Sequence, residues 1–419
     1  MTQTFTLSNG LRVVAEVLPT LNSVSAGVWI KTGAMMEKPG EKGLSHMLEH
    51  MAFKGTSSRS ARQLAEDMDA IGGQVNAATG RTSTVYYARM LDEEMPQGLE
   101  LLADITCNSL MDKGDIEKER GVILEEIAMV EDMPEEIIFD MMNMALYGEG
   151  TLSHPILGEK AGISAYTQED LLAFKNRYYA PRNALLSVAG NVELEQLQSL
   201  SQRLFGHWAG GGEASYPVNQ ANQPPVVLAA DRQIEQAHLC LGYRGVEEGA
   251  PDGYALAALG NILGGGMSSR LFQTIREEQA LVYTVFSAPT AYPGCGDFSI
   301  YAAATPANAV KVLKEIRKET DKLLQEGVTQ KELDQTKILL KTNIVLSQES
   351  AYNRMQKMGN DWLIFNRDIP VKEMLTKLDA ITREDILRLA HQTLSQQPSA
   401  AFIGPNAAAL KNNLEAYNG

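Results

Sequence analysis

The chain has 419 residues, of which 44% are hydrophobic, and its formal net charge at pH 7 is −15. This length exceeds one ordinary hydrophobic core, so two domains are expected. The negative charge argues against a nucleic-acid partner, because binding to phosphates requires basic side chains. No uninterrupted apolar stretch reaches the roughly 18 residues of a membrane-spanning helix, so no membrane span is expected.

The three cysteines and the first strands bear on the cellular compartment. Cys107, Cys240 and Cys295 are odd in number and far apart, which argues against a disulfide framework and favours a reducing compartment. The first residues, MTQTFTLSNGLRVVAEVL, predict a strand, an Asn-Gly turn and a second strand rather than a targeting signal. We therefore expect the cytoplasm, or the mitochondrial matrix if the protein is eukaryotic and already processed.

Two of the six histidines stand in the segment GLSHMLEHMAFKGT, residues 43–56. We predict a helix over 43–54. His46 and His50 lie about 40° apart on such a helix, and Glu49 lies about 60° to the other side of His46. Two histidines at this spacing can bind one zinc ion, and the carboxylate beside them can take a proton from zinc-bound water. The alternative is a helix with two incidentally spaced histidines.

The next predicted elements are a helix and a hairpin. The helix is predicted to follow Ser60, which can form a capping box with Gln63, and to stop at Gly72 and Gly73. Residues 72–90 predict a strand, a turn and a second strand. An exposed strand edge there would pair with an extended peptide through main-chain hydrogen bonds. The residues alone favour the alternative, an ordinary hairpin.

A later helix, predicted within 115–132, carries two glutamates on its apolar side. Glu119 and Glu126 are seven residues apart, which places them about 20° apart on a helix. A carboxylate in an apolar stripe is unfavourable unless it is paired or binds a metal. A catalytic zinc needs a third protein ligand, so either glutamate is a candidate. A salt-bridged pair of half-buried glutamates is the alternative.

A linker is predicted at 209–226, which is rich in Gly, Pro, Asn and Gln and lacks apolar periodicity. It separates two halves, 1–208 and 227–419, that contain an internal repeat. YTQEDLLAF at 166–174 resembles ITREDILRL at 381–389, and each copy continues with a strand, a glycine turn and a second helix. We predict an α+β protein of two duplicated α/β-sandwich domains, each a mixed sheet flanked by helices.

The second half lacks the chemistry of the histidine helix. On the repeat, the two histidines and Glu49 align with residues that cannot bind or activate zinc. These are Ala257, Gly260 and Asn261. One metal ion per chain is therefore expected, in the first half.

Three segments together resemble the pitrilysin/insulinase family of zinc peptidases. They are GLSHMLEHMAFKGT, GGQVNAATGRTSTVYY and ERGVILEEI. The length and two-half layout are similar to the mitochondrial-processing-peptidase-like bacterial branch of that family. The resemblance implies that His46, His50 and Glu126 hold one Zn²⁺ ion. It also implies that Glu49 is the general base and that Glu119 supports the site.

The same resemblance implies the residues that bind substrate. An extended peptide is expected beside the strand Gly73–Thr79, with Asn76 and Ala77 as main-chain partners. In the second half, LFQTIREEQALVYTV contains Arg276 and Tyr283, which resemble a pair that holds the substrate carbonyl and stabilises the oxyanion. A cation and a phenol donor suit that role. The residues alone favour an exposed arginine and a core tyrosine.

The function implied is a zinc-dependent endopeptidase that cleaves extended peptides or leader and presequence segments. Larger family members are similar to two such chains joined as a clamshell, so this chain is expected to be half of one. We expect a homodimer, or a heterodimer with a sister chain, in which Arg276 and Tyr283 complete the partner's site. The alternative function is a non-catalytic scaffold or core subunit of a larger complex.

Overall fold

Two mixed β-sheets flanked by helices organise the chain, and the computed structural model describes residues 2–221 and 224–418. Strands β1–β11 are, in order, Gln3–Thr6, Arg12–Val17, Ser23–Ile30, Gln74–Thr79, Thr84–Leu91, Ala184–Gly190, Val227–Asp231, Ala237–Arg244, Val282–Tyr292, Cys295–Ala304 and Ser399–Gly404. Helices α1–α15 are, in order, Leu44–Ala52, Ala61–Ala70, Met95–Cys107, Lys113–Glu131, Pro134–Tyr147, Lys160–Ala165, Gln168–Tyr178, Leu194–Phe205, Gly253–Gly264, Ala309–Glu326, Gln330–Ser347, Ala351–Phe365, Val371–Ala380, Arg383–Leu394 and Ala407–Asn418. None of these helices combines the length and apolar composition that a membrane crossing requires.

The two sheets share one topology. The first has the order β1-β2-β6-β3-β5-β4 and the second β7-β11-β8-β10-β9, so the first sheet differs by its additional strand β1. In each sheet one pair is parallel, β2 with β6 and β7 with β11, and the other pairs are antiparallel. The predicted α+β fold with two duplicated sheets is confirmed.

The internal repeat extends to local detail. Thr167 caps α7 and Thr382 caps α14, each in a capping box with the aspartate three residues later. After the strand that follows, Gly190 and Gly404 have φ of +143° and +134°. A Cβ atom at Gly190 would lie 2.3 Å from the carbonyl oxygen of Ser23. The glycine turn of the repeat therefore requires a residue without a side chain.

The chain forms two compact units, each of which includes a segment from the other half of the sequence. The first unit comprises Met1–Ala128, Pro155–Pro217 and Val345–Pro370. The second comprises Met129–His154, Val218–Ile344 and Val371–Gly419. The segment with α5 thus packs on the second sheet, and the segment with α12 packs on the first. The two segments occupy equivalent places on the repeat, so the exchange is reciprocal.

The predicted domain bounds, 1–208 and 227–419, did not include this exchange. The unit boundary at residues 217 and 218 falls inside the predicted linker 209–226. Residues 222 and 223 of that linker lie outside the described residues.

In the first unit, α12 covers one face of the sheet. Its Met355 and Met358 pack against Trp29 and Val14 in one buried cluster. The other face carries the larger core, where α3 and α8 pack on the sheet. Helix α1, which contains the two clustered histidines, belongs to that core layer through buried leucines and methionines.

Candidate metal centre

Helix α1 is fixed at its first turn by a buried carboxylate. Glu37 is fully buried and accepts hydrogen bonds from the main-chain N–H groups of Gly43 and Ser45, each at 2.8 Å. Burial raises the pKa of Glu37 to about 8, and the two N–H donors at this end of the helix oppose that rise. The helix buries five apolar side chains, Leu44, Met47, Leu48, Met51 and Ala52. The remaining side presents His46, Glu49 and His50, as the predicted helix does.

Three side chains from α1 and α4 converge on one point. One ligand atom each from His46, His50 and Glu126 lies within 4.8 Å of the other two. Atom Oε2 of Glu126 is 3.7 Å from Nε2 of His46 and 3.6 Å from Nε2 of His50. Two imidazole nitrogens and one carboxylate oxygen are the ligand types of a catalytic zinc site, with positions left for water and substrate.

The protonation state of His46 suits a metal ligand. Burial, with a smaller contribution from His50, lowers the pKa of His46 to about 4. The His46 ring is therefore neutral near pH 7, which is the form that binds metal ions. The residues present thus fit the zinc ion that the sequence predicts.

The second glutamate of α4, Glu119, contacts His50 and is not one of the three metal donors. Glu119 is only 5% exposed, and its Oε2 is 3.1 Å from Nδ1 of His50. Its Oε1 is 2.7 Å from Nζ of Lys54. Contacts of this kind orient metal-binding histidines and fix their tautomer. The helical wheel does not distinguish the two glutamates as metal ligands, whereas the structure does. Glu126 is one of the three donors, and Glu119 contacts Nδ1 of His50.

Lys54 is a further residue of the site that the sequence analysis does not single out. Its ammonium group is the cation that neutralises the buried Glu119. The available signal was its position, four residues after His50, which places it one turn further along the same side. Lysine is so common beyond helix ends that this spacing alone carried little information.

Glu49 is held by the strand that follows in the sequence. The hydroxyl of Thr79 donates a hydrogen bond to Oε2 of Glu49. Burial raises the pKa of Glu49, and the hydrogen bond from Thr79 opposes that rise. His50 lowers the pKa of Glu49 electrostatically, and Glu126 raises it.

The predicted substrate strand, β4, lies at the edge of its sheet. Within the part of the chain that the structure describes, β5 is the only strand paired with β4. The N–H of Ala77 donates to the side chain of Asn76 at 2.8 Å. Just before the strand, a Cβ atom at Gly73 would lie 2.0 Å from the Arg89 carbonyl oxygen, so the close approach requires glycine. The edge exists as predicted, and its use by a peptide stays a prediction.

Arg276 and Tyr283 belong to the second unit and contact each other. Arg276 lies in a π-helix, Phe272–Glu278, and its guanidinium is 4.8 Å from the centre of the Tyr283 ring. Tyr283 is 74% exposed, so it is not the core tyrosine that the residues alone favoured. Between the two, Ala280 has a φ of +50°, a strained conformation for a residue with a side chain.

In the second unit, packing between α9 and β9 fills the position that corresponds to the metal centre. A side chain at Gly260, the counterpart of Glu49, would begin 3.0 Å from Pro289 of β9. The hydroxyl of Ser287 on the same strand donates to the Gly260 carbonyl oxygen at 3.0 Å. Helix α9 therefore packs directly on β9. Over residues 2–221 and 224–418, the cluster in the first unit is the one group of donors spaced for a metal.

Comparison with known proteins identifies the family. Residues 12–160 match the family described as "Insulinase (Peptidase family M16)", and residues 165–340 match "Peptidase M16 inactive domain". A Bacillus subtilis protein named "Uncharacterized zinc protease YmxG" is 39% identical over 407 residues, covering 97% of this chain and 99% of that protein. The chain belongs to peptidase family M16. The resemblance to pitrilysin and insulinase is thereby confirmed, and the first M16 match contains all three candidate metal donors.

Further M16 relatives cover the chain to the same extent. An "Uncharacterized zinc protease" of Mycobacterium leprae is 37% identical and covers 96% of this chain and 92% of its own length. Among solved structures, "a protease from Helicobacter pylori" has a TM-score of 0.89 at 25% identity, covering 97% of this chain and 100% of that one. A "peptidase M16 inactive domain from Pseudomonas fluorescens" has a TM-score of 0.88 at 20% identity, covering 97% and 98%, and supports the fold alone.

Proposed function

We propose that this chain, a zinc metalloprotease of family M16, is an endopeptidase that cleaves extended peptides such as leader or presequence segments. One observation carries the proposal. Two imidazole nitrogens and a carboxylate oxygen lie within 4.8 Å of one another, beside the further carboxylate of Glu49. Relatives named as zinc proteases support the metal and the class of reaction.

Each side chain of the site has a distinct task in the proposed hydrolysis. His46, His50 and Glu126 would hold a zinc ion, which would supply Lewis acidity to the scissile carbonyl and to water. Glu49 accepts the proton of the attacking water and then delivers it to the leaving amine. Its burial raises its pKa towards the operating pH, which improves a base that must later act as an acid. Glu119 holds the ring of His50 through Nδ1, which leaves Nε2, on the side of Glu126, as the atom that would bind the metal.

The open edge of β4 supports the extended form of the substrate. A peptide added as a strand beside Gly73–Thr79 would be bound mainly through main-chain groups, which place little demand on its sequence. In this proposal Arg276 and Tyr283 hold the substrate carbonyl and stabilise the oxyanion. The wide exposure of Tyr283, 74%, supports a role outside the core.

The test of the proposed function separates the base from the ligands. Glu49→Gln removes the base without removing a ligand, so we expect full zinc content and a loss of turnover of several orders of magnitude. Zinc is measured by elemental analysis and cleavage by mass spectrometry of a peptide library. Chelation of the wild-type protein should abolish the same cleavage, and added zinc should restore it. Near-normal cleavage by Glu49→Gln would assign the base to another residue.

A second candidate function is a non-catalytic core subunit. The match of residues 165–340 to an inactive domain favours it, because a chain can retain this fold without retaining catalysis. Under this alternative, the zinc-loaded wild-type protein cleaves no member of the library. Metal content alone does not separate the two functions, whereas peptide turnover does.

The proposal extends to assembly and compartment. In a homodimer, or a heterodimer with a sister chain, the second unit of one chain would supply Arg276 and Tyr283 to the metal centre of its partner. A reducing compartment such as the cytoplasm is supported by the three cysteines, Cys107, Cys240 and Cys295, which are free thiols.

A further inference from the structure

Thr79 contacts the candidate base. It is the last residue of β4, and its hydroxyl donates to Oε2 of Glu49. A carboxylate can only accept hydrogen bonds, so the hydroxyl of Thr79 is the donor. Both the hydroxyl and the main-chain N–H of Thr79 favour the charged form of Glu49 and so lower its pKa, against the larger effect of burial.

The direction of the Thr79 N–H defines which groups lie on the open edge of β4. The N–H of the next residue, Gly80, points to the β5 side, where it donates to the Ser83 carbonyl oxygen at 2.8 Å. Main-chain groups alternate along a strand, so those of Thr79, Ala77 and Val75 face the opposite, unpaired edge. Thr79 therefore has its main-chain groups on the edge along which a peptide would pair, while its hydroxyl contacts Glu49.

We propose that Thr79 is a positioning residue that ties the general base to the strand that pairs with the substrate. The inference rests on the proposed function and deepens it. Thr79 then holds the carboxylate of Glu49 at a fixed position relative to the paired peptide. The general base and the scissile bond are thereby positioned by the same strand. Such pre-organisation lowers the barrier to the chemical step without strengthening the binding of the substrate.

Two substitutions at position 79 separate the hydroxyl from the shape of the side chain. Thr79→Val keeps the branched shape and removes the hydroxyl donor, whereas Thr79→Ser keeps the hydroxyl. For Thr79→Val we expect kcat to fall about ten- to hundredfold, the range for losing a hydrogen bond to a charged group. KM should change by less than about threefold, because uniform binding is not affected. Thr79→Ser should retain kcat within about threefold by the same reasoning.

A structural measurement accompanies the kinetics. In crystal structures of the zinc-loaded variants, we expect the Glu49 carboxylate to be displaced in Thr79→Val and to keep its place in Thr79→Ser. Zinc content should be the same in both variants, because neither removes a ligand. Loss of zinc from Thr79→Val would overturn the inference, since Thr79 would then support the metal site and not the base.

Further kinetic and structural results would also overturn the inference. An unchanged kcat in Thr79→Val, or an equal loss in both variants, would show that the hydroxyl does not position Glu49. If the wild-type protein cleaves nothing, the proposed function fails, and the position of Glu49 in the two crystal structures then decides the inference alone. Glu49 in the same place in both structures would overturn it.

Discussion

At the scale of single residues, the buried Glu119 of α4 contacts one of the metal donors, His50, and a lysine that follows α1. Its two oxygens contact Nδ1 of His50 at 3.1 Å and Nζ of Lys54 at 2.7 Å. A buried carboxylate is stable only when it is paired in this way. The pairing explains how an apolar helix face tolerates a charge, and it predicts an effect on the metal that is separate from catalysis.

Glu119→Gln should weaken zinc binding without removing a ligand. The neutral amide holds the His50 ring less firmly and leaves Lys54 without its counter-ion, so we expect zinc affinity to fall about ten- to hundredfold. Affinity is measured by competition with a chromogenic chelator. Glu125→Gln, at an exposed position on the same helix, serves as the control and should bind zinc as the wild type does. Equal affinities in the two variants would contradict the role of Glu119.

At the scale of elements, the close docking of α12 depends on a glycine. A Cβ atom at Gly359 would lie 2.3 Å from the Trp29 ring, which is itself fully buried beneath the helix. In the second unit, the glycine of the corresponding contact lies on the strand and not on the helix. Gly242 of β8 leaves room for Met142 and Leu146 of α5. Both exchanged helices therefore sit close to their sheets, because one partner in each contact has no side chain.

Gly359→Ala should destabilise the first unit although alanine is the better helix former. The added methyl group overpacks the contact with Trp29, so we expect a loss of about 1–3 kcal/mol in the free energy of unfolding. Gly121→Ala is the matched control, since Gly121 lies inside α4 with open space around it. That control should gain about 0.5–1 kcal/mol. Urea unfolding measures both, and a gain of stability in Gly359→Ala would refute the packing argument.

At the scale of the whole molecule, the duplication distributes the chemistry unevenly. Equivalent sheets and reciprocally exchanged segments occur in both units, yet the metal donors found among the described residues all belong to the first. Arg276 and Tyr283, the pair implied in substrate binding, belong to the second. A chain with this division of residues makes a direct prediction about assembly.

Complementation between two inactive variants tests whether partners share active sites. His50→Ala chains keep Tyr283, and Tyr283→Phe chains keep the metal centre, so a mixed dimer regains one complete site. Random exchange of subunits should restore about a quarter of the wild-type activity, because half of the dimers are mixed and each has one such site. Peptide cleavage is measured after subunit exchange, with each variant alone as the control. No recovery despite demonstrated exchange would place the sites within single chains.

Features of the protein that depend on local periodicity follow from the amino-acid sequence alone. Helical spacing placed His46, Glu49 and His50 on one side of α1, and capping residues with glycine turns defined the repeat that the two sheets confirm. It also restricted the third donor to Glu119 or Glu126. These features follow from the 3.6-residue and two-residue periods of helices and strands, which can be read from neighbouring residues.

Contacts between distant parts of the chain, in contrast, are visible in the folded structure and not in the sequence. Glu119 meets His50 across 69 residues, and Thr79 meets Glu49 across 30. The exchange of α5 and α12 between units is likewise a matter of which apolar face meets which sheet. Periodicity states that a side chain faces a core but not which partner it finds there. That choice depends on packing and pairing among side chains brought together by folding.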